Sequence, residues 1–277
     1  MREQDSERAG RREAQTELSG GVAIVIPAFN EAATIGPLVR DCRALASGMP
    51  SGRPSGMPGG IPGEIIVIVV DDGSIDETAV LAAAAGARLL PSGGNRGKGE
   101  ALRRGMRAAL ATGAAWIVTL DADGQHRPGD IPRLLAVAGP GRVAIGARVA
   151  SRDAPRARRI ANHVADFWVS WAARQWVRDS QSGFRVYPAA LAAQLANGAA
   201  PAEHFAFESE ALIAASWRGY TTVSVPIATI YHPGLRPSHF RPVRDIARIV
   251  RMVGSKLLPR LMDPVGLWRA LRSRARP

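Results

Sequence analysis

The sequence predicts an α/β protein built on a mostly parallel sheet covered by helices on both faces. Short runs rich in β-branched residues alternate with helical patterns through the first half of the chain, as a parallel sheet with crossover helices requires. The runs are continuously apolar instead of alternating, the mark of strands buried on both faces. With 277 residues, 46% of them hydrophobic, the chain can bury one sizeable core with an appended piece.

The elements follow in order. Residues 21–26 and 64–70 are buried-strand runs, and the helix between them spans about 31–45, with Asn30 as its cap. A helix begins near Ser74 or Asp76 and is closed by Gly86. Residues 87–90 form a short strand, and a glycine-rich turn leads to a helix over 98–111. Residues 115–120 and 142–146 are further strands. Helical patterns cover about 156–177, 188–195, 207–218 and 242–258, with strands at 184–187 and 221–230. Residues 47–63 repeat Ser-Gly-X-Pro, where Pro and Gly recur too closely for helix or strand; they read as a flexible surface insertion within one domain.

Three units result: a polar, disordered tail over 1–20, a domain over 21–240 and a basic helical extension over 241–277. The N-terminus lacks the apolar stretch of a signal peptide, and no run approaches the ~18 apolar residues of a membrane span. The single cysteine, Cys42, excludes an internal disulfide and a multi-cysteine zinc site, which fits a reducing compartment. A cytoplasmic protein is expected. Net charge is +12, and residues 231–277 hold eleven Arg or Lys against two Asp, nine of those twelve charges. Such a block meets an anionic partner. On the last helix Val243, Ile246, Ile249, Val250, Val253 and Leu257 share one face, giving a basic amphipathic helix suited either to the inner face of a membrane or to docking on the body. Trp268 is the only tryptophan there, so base stacking on nucleic acid is poorly supported.

Chemistry gathers after the strands. Pro27-Ala-Phe-Asn-Glu31, Asp71-Asp-Gly-Ser74 and Asp121-Ala-Asp-Gly-Gln-His126 each follow a parallel strand, on the rim where open α/β sheets bind ligands. Asp121 and Asp123, with Gln125 nearby, offer oxygen ligands suited to Mg²⁺ or Mn²⁺. His126 reads as a surface residue after the turn. Gly93 to Gly99 matches neither the P-loop, lacking glycine at Ser92, nor the dinucleotide fingerprint, lacking glycine at Leu102. Its helix N-terminus still offers an anion site in which Gly97 and Lys98 would meet phosphates. A tight turn is the competing account.

Residues 26–31, 70–76, 95–99 and 121–125 together resemble the family-2 glycosyltransferases of the GT-A fold. Residues 179–185 and Glu210 to Ile213 resemble their dolichol/polyprenyl-phosphate mannosyltransferase-like branch. The resemblance spans about Val22 to Ile230. It implies an inverting, metal-dependent transfer from a nucleoside-diphosphate sugar to a polyprenyl phosphate or another lipid-linked or cell-envelope acceptor. It also implies roles. Pro27, Phe29, Glu31 and Asp71 would hold the nucleoside, with Asp72 supporting the turn. Asp121, Ala122 and Asp123 would meet the diphosphate, with Asp121, Asp123 and Gln125 on the metal. Arg148, Arg158, Arg159 and Arg185 would meet the acceptor phosphate. Asn162 departs from the branch, which carries a small hydroxyl residue there, and relatives' C-terminal membrane segment is missing. A hydroxyl acceptor would need a base; Asp179 and Glu210 are the candidates, with Glu208 a weaker third, and Glu210 alternatively pairs with an arginine such as Arg185. His239, before the last helix, either folds back toward the donor phosphates or serves as a cap and turn residue. The alternatives are a nucleotidyltransferase, which would place a glycine-rich loop directly after the first strand, and a non-enzymatic basic module binding membrane or nucleic acid.

Overall fold

All seven residues of the first strand, β1 (Val22–Ala28), are buried, because the strand has neighbours on both edges and helices on both faces. The computed structural model describes residues 21–47, 65–149, 156–198, 206–228, 230 and 242–274. After β1 come α1 (Ala32–Ser47), β2 (Ile65–Asp71), α2 (Thr78–Ala84), β3 (Arg88–Pro91), α3 (Lys98–Leu110) and β4 (Trp116–Thr119). The second half runs α4 (Ile131–Val137), β5 (Arg142–Arg148), α5 (Arg156–Ala173), β6 (Arg185–Pro188), α6 (Ala189–Ala196), α7 (Ala206–Trp217), β7 (Thr221–Ile227), α8 (Pro242–Leu257) and α9 (Pro264–Arg274).

The seven strands lie in the order β3-β2-β1-β4-β6-β5-β7. All pair in parallel except β6, which is antiparallel to both β4 and β5. Thr119, at the end of β4, faces Arg185, at the start of β6. The loop before β6 therefore enters the sheet on the same rim where β1, β2 and β4 leave it. Ala23 and Val25 of β1 pack into a core shared with α3 and α5 to α8, while Val22, Ile24 and Ile26 pack into a second core with α1, α2 and α4. Each fully buried Val or Ile stabilises the fold by ~1.5–3 kcal/mol.

Several expectations change. The long helix α5 stops at Ala173 instead of 177, because Arg174 is left-handed (φ 55°) and the amide of Val177 turns back to the Ser170 hydroxyl. Strand β7 ends at Ile227. The helices α4 and α9 were not anticipated; each carries a proline in its first turn, where its missing N–H costs nothing. Asn30 does not cap α1. The amide of Glu31 donates to the Thr78 hydroxyl and that of Ala32 to Asp76, so the cap comes from across the rim. On α8, Ile249, Val253 and Leu257 are buried against the body, so this part of its apolar face is spent on the fold. No described helix is long and apolar enough to cross a membrane. The tail over 1–20, most of the 47–63 insertion and His239 lie outside the described residues.

Candidate active site

The three polar clusters meet on one rim and are bonded to one another. The amide of Asn30 donates to the Ser74 hydroxyl (2.9 Å), and the Asn30 side chain accepts from the Ile75 amide (2.9 Å). Asn30 is left-handed (φ 56°), a conformation that asparagine tolerates. The Thr34 hydroxyl donates to the carbonyl of Ala122 (2.6 Å), tying α1 to the Asp121–Asp123 turn. Pro27 is buried one residue before the end of β1, Phe29 is 37% exposed, and Asp71 is buried with Oδ1 accepting from the Ser74 amide.

Asp72 has a more specific task than supporting its own turn. Its carboxylate accepts the amides of Arg96 (2.9 Å) and Gly97 (2.7 Å). The glycine loop thus already holds an anion, a protein carboxylate, at the entry to α3, and the Gly97 N–H is not free for a phosphate. The loop passes so close that a Cβ on Gly73 would meet the backbone of Gly94 and Asn95 at 2.9 Å.

Lys98 reaches from the first turn of α3 to Asp121 Oδ1 (2.7 Å) and Glu208 Oε1 (2.6 Å). Burial alone would lower its pKa, but the two carboxylates outweigh burial and raise it. Burial likewise opposes ionisation of Asp121; Lys98 and His126 overcome it and hold the carboxyl below its ordinary value. Asp123 moves the other way: burial and the neighbouring Asp121 raise it. Its Oδ1 accepts the Gln125 amide (3.0 Å). Glu31 is pushed up to about 7 by burial and by Asp123.

His126 is buried, not on the surface, and stacks at a tilt on Phe184 with ring centroids 5.4 Å apart. Neither ring nitrogen has a partner. Burial lowers its pKa against the pull of Asp121 and Asp123.

The acceptor-side candidates separate. Asp179 is left-handed (φ 54°) and grips Arg148 three ways, through Nε (2.8 Å), Nη2 (2.7 Å) and the backbone amide (2.9 Å). Burial would raise its pKa, but Arg148 dominates and lowers it, which makes Asp179 a poor base. Arg185 is not an acceptor contact: it is fully buried. Its guanidinium donates to the carbonyls of Ser182 (2.8 Å), Ser180 (2.8 Å) and Glu208 (2.6 Å), and to the Tyr187 hydroxyl (3.2 Å). Glu210 pairs with Lys256 (2.9 Å), not with Arg185 or any site residue. Arg159 is exposed on α5, and the side chain of Arg158 lies outside the described residues.

Glu208, the weaker candidate, is the carboxylate that faces the site. Two residues on a helix differ by ~200° in direction, so only one of Glu208 and Glu210 can point there. Gly183 was also missed as a site residue. A Cβ there would sit against both carboxylate oxygens of Asp121, closer than van der Waals contact allows. The glycine in the 179–185 motif was the available signal.

Among the described residues no group of three or more His, Cys, Asp or Glu forms a ready cation cage. The protein would supply the two aspartates. The donor set is hard oxygen, Asp123 has no cationic partner within ion-pair distance among the ion pairs described, and orphaned His126 nitrogens lie beside the pair. These residues fit a divalent cation.

A family model described as Glycosyl transferase family 2 matches residues 23–192. An uncharacterised protein of Methanocaldococcus jannaschii is 32% identical over 216 residues, 76% of this chain and 82% of its own length. A polyprenol monophosphomannose synthase of Mycolicibacterium smegmatis is 27% identical over 175 residues, 59% of this chain and 66% of that protein. The glucosyl-3-phosphoglycerate synthase of Mycobacterium tuberculosis, solved with Mn²⁺, UDP and glucosyl-3-phosphoglycerate, superposes with a TM-score of 0.59. Its identity is 22%, over 89% of this chain and 82% of that one, a likeness of fold alone.

Proposed function

Because the chain belongs to glycosyl transferase family 2 and is a glycosyltransferase of GT-A-type fold, we propose that it transfers a sugar from a nucleoside-diphosphate donor to a polyprenyl phosphate at the cytoplasmic face of the cell membrane. The observation that carries this reading is the state of the candidate bases. Asp179 is consumed by Arg148, Glu210 by Lys256 and Glu208 by Lys98, whereas a phosphate acceptor is already anionic and needs no base. Membership of the family replaces the nucleotidyltransferase and the non-enzymatic module.

The acceptor phosphate oxygen forms a bond to the anomeric carbon from the face opposite the donor. The bond from that carbon to the diphosphate oxygen breaks, and the nucleoside diphosphate leaves with the electron pair. Arg148, held rigid by Asp179, positions the acceptor phosphate and offsets its repulsion from the donor. Lys98 keeps Asp121 ionised and oriented. Asp121 and Asp123, with Gln125 as a further oxygen, would hold Mg²⁺ or Mn²⁺, which would neutralise charge developing on the leaving diphosphate. Pro27, Phe29, Glu31 and Asp71 line the nucleoside side of the rim.

A panel of UDP- and GDP-sugars, with and without Mn²⁺, tests the donor by thermal shift, and radiolabelled transfer to polyprenyl phosphate tests the acceptor. Stabilisation by one nucleotide class that depends on Mn²⁺, together with chelator-sensitive labelling of the lipid, is expected. No stabilisation by any nucleotide sugar would overturn the donor assignment; labelling of a hydroxyl acceptor alone would overturn the acceptor.

A further inference from the structure

The region from Leu258 to Arg274 turns apolar side chains outward instead of inward. Leu258 is 67% exposed, Leu261 89%, Val265 55% and Trp268 55%. On α9 the buried residues are Gly266 and Ala270. At ~100° per residue, Val265, Trp268 and Leu271 fall on the opposite side. Exposed Arg269 and Arg274 flank that stripe on its two edges, and exposed Arg272 falls within it, 5.1 Å from the centroid of the Trp268 ring.

Leu261, Met262 and Asp263 are all left-handed (φ 50°, 60° and 35°). Left-handed conformations cost non-glycine residues on the order of 1 kcal/mol each. The turn is held because Asp263 is buried, accepting from Arg174 Nε (2.6 Å) and the Gly266 amide (3.0 Å), while its carbonyl accepts from Trp171 Nε1 (3.1 Å). The strained turn presents Leu261 to solvent. Asp263 and Asp245 are the only acids from residue 231 onward, and Asp263 is neutralised internally.

Helix α5 also exposes apolar side chains. Ile160 (64% exposed), Val164 (38%) and Phe167 (36%) recur at helical spacing. They run ~10 Å from the N-terminal end of that helix, which follows Arg148, toward the α9 side. Phe167 makes an edge contact with Trp171, which holds the Asp263 turn. A surface of this length, edged by arginines and with Trp268, Arg269, Arg272 and Ser273 lining an open recess on it, suits an extended anionic apolar boundary.

We propose that the Leu258–Arg274 segment docks this protein onto an anionic phospholipid bilayer. Leu261, Val265, Trp268 and Leu271 enter the headgroup–acyl boundary, and Arg269, Arg272 and Arg274 meet lipid phosphates. Helix α8 does not serve, because its Ile249, Val253 and Leu257 are buried against the body. The proposal gives the lipid-acceptor reading its location but stands on different residues.

The test uses the full chain and flotation with phosphatidylcholine vesicles, with or without phosphatidylglycerol and always without polyprenyl phosphate. Binding is expected to the anionic vesicles and to weaken with salt. Leu261→Ser with Trp268→Ser should lower the partition constant by about tenfold or more, ~1.4 kcal/mol. Arg269→Glu with Arg272→Glu should abolish the preference for anionic lipid. Both pairs should keep the melting temperature and the rate of donor hydrolysis in solution. Wild-type protein that ignores anionic vesicles, or variants that bind like wild type, would overturn the proposal. So would self-association in solution that Leu261→Ser with Trp268→Ser abolishes, or binding to RNA in place of vesicles. Loss of donor hydrolysis in wild type with vesicle binding intact would instead count against the enzymatic reading alone.

Discussion

Lys98 Nζ stands 2.6 Å from Glu208 Oε1 and 2.7 Å from Asp121 Oδ1, so one ammonium group joins helix α7 to the end of β4. Glu208 Oε2 is buried without a partner, and the approach of Oε1 is an ion pair, not an aligned hydrogen bond. Glu208→Gln should therefore release Lys98 toward Asp121 and lower turnover by ~10- to 100-fold through misplacement of the donor carboxylates. Glu210→Gln, which loses only the Lys256 pair, should stay within ~2-fold. Steady-state rates of the two variants, measured with equal melting temperatures, check the assignment. Equal effects would sink it.

Asp121→Asn and Asp123→Asn each remove one oxygen and the negative charge offered to a cation. Turnover is expected to fall by ~10²-fold or more in each. Calorimetry should show Mn²⁺ binding in the presence of nucleoside diphosphate lost in both.

Asp179→Asn leaves Arg148 with a neutral partner in a buried place. Breaking a pair of this kind costs ~3–5 kcal/mol when the partner is removed outright, and the amide should retain part of that. The expected signature is a raised KM for the lipid acceptor with donor hydrolysis less affected. A selective loss of donor hydrolysis would contradict the division of labour between Arg148 and Lys98.

Arg185→Met should act on stability before acceptor recognition. It strands the carbonyls of Ser180, Ser182 and Glu208, and each buried unsatisfied group costs ~1–3 kcal/mol. Urea unfolding should show a loss of ~3 kcal/mol or more. Unchanged stability with a raised acceptor KM would restore the original expectation.

Glu31 binds its proton more tightly in the folded state, about 7 against an ordinary 4.5. Between these values the native state holds more protons than the unfolded chain, so the contribution of Glu31 to stability falls as pH rises. Glu31→Gln should match wild type near pH 4 and exceed it above pH 7, by ~1 kcal/mol once solvent screening of this half-buried group is allowed for. Melting temperatures across that range read the difference; a gap that shrinks with rising pH would refute it.

The strands and the rim were legible because both are local signals. A run such as Val22 to Ile26 can only be buried, and a polar cluster directly after it can only lie at the sheet's end. Partner choice was not local. Arg185 sits in a motif that reads as acceptor-binding, yet the antiparallel entry of β6 turns it inward among carbonyls. Choosing between Glu208 and Glu210 required the phase of α7, and helical spacing gives that phase only once a neighbour fixes it. On α8 the apolar face was plain in the sequence, but not that Ile249, Val253 and Leu257 would meet the body. Helix α9 escaped notice because its apolar residues face outward, the reverse of the pattern that marks a packed helix.

The missing side chain at Gly183 makes the two halves of the molecule heritable only as a unit. Its segment lies on the side proposed to meet the acceptor, while the carboxylate pressed against it belongs to the proposed donor centre. Grafting another acceptor loop onto this sheet would succeed only if the graft kept bare backbone at that point. Any other residue would lever Asp121 away from Lys98. Changes of acceptor preference have freer scope on the outer surface of α5 and beyond, where no donor residue is in the way.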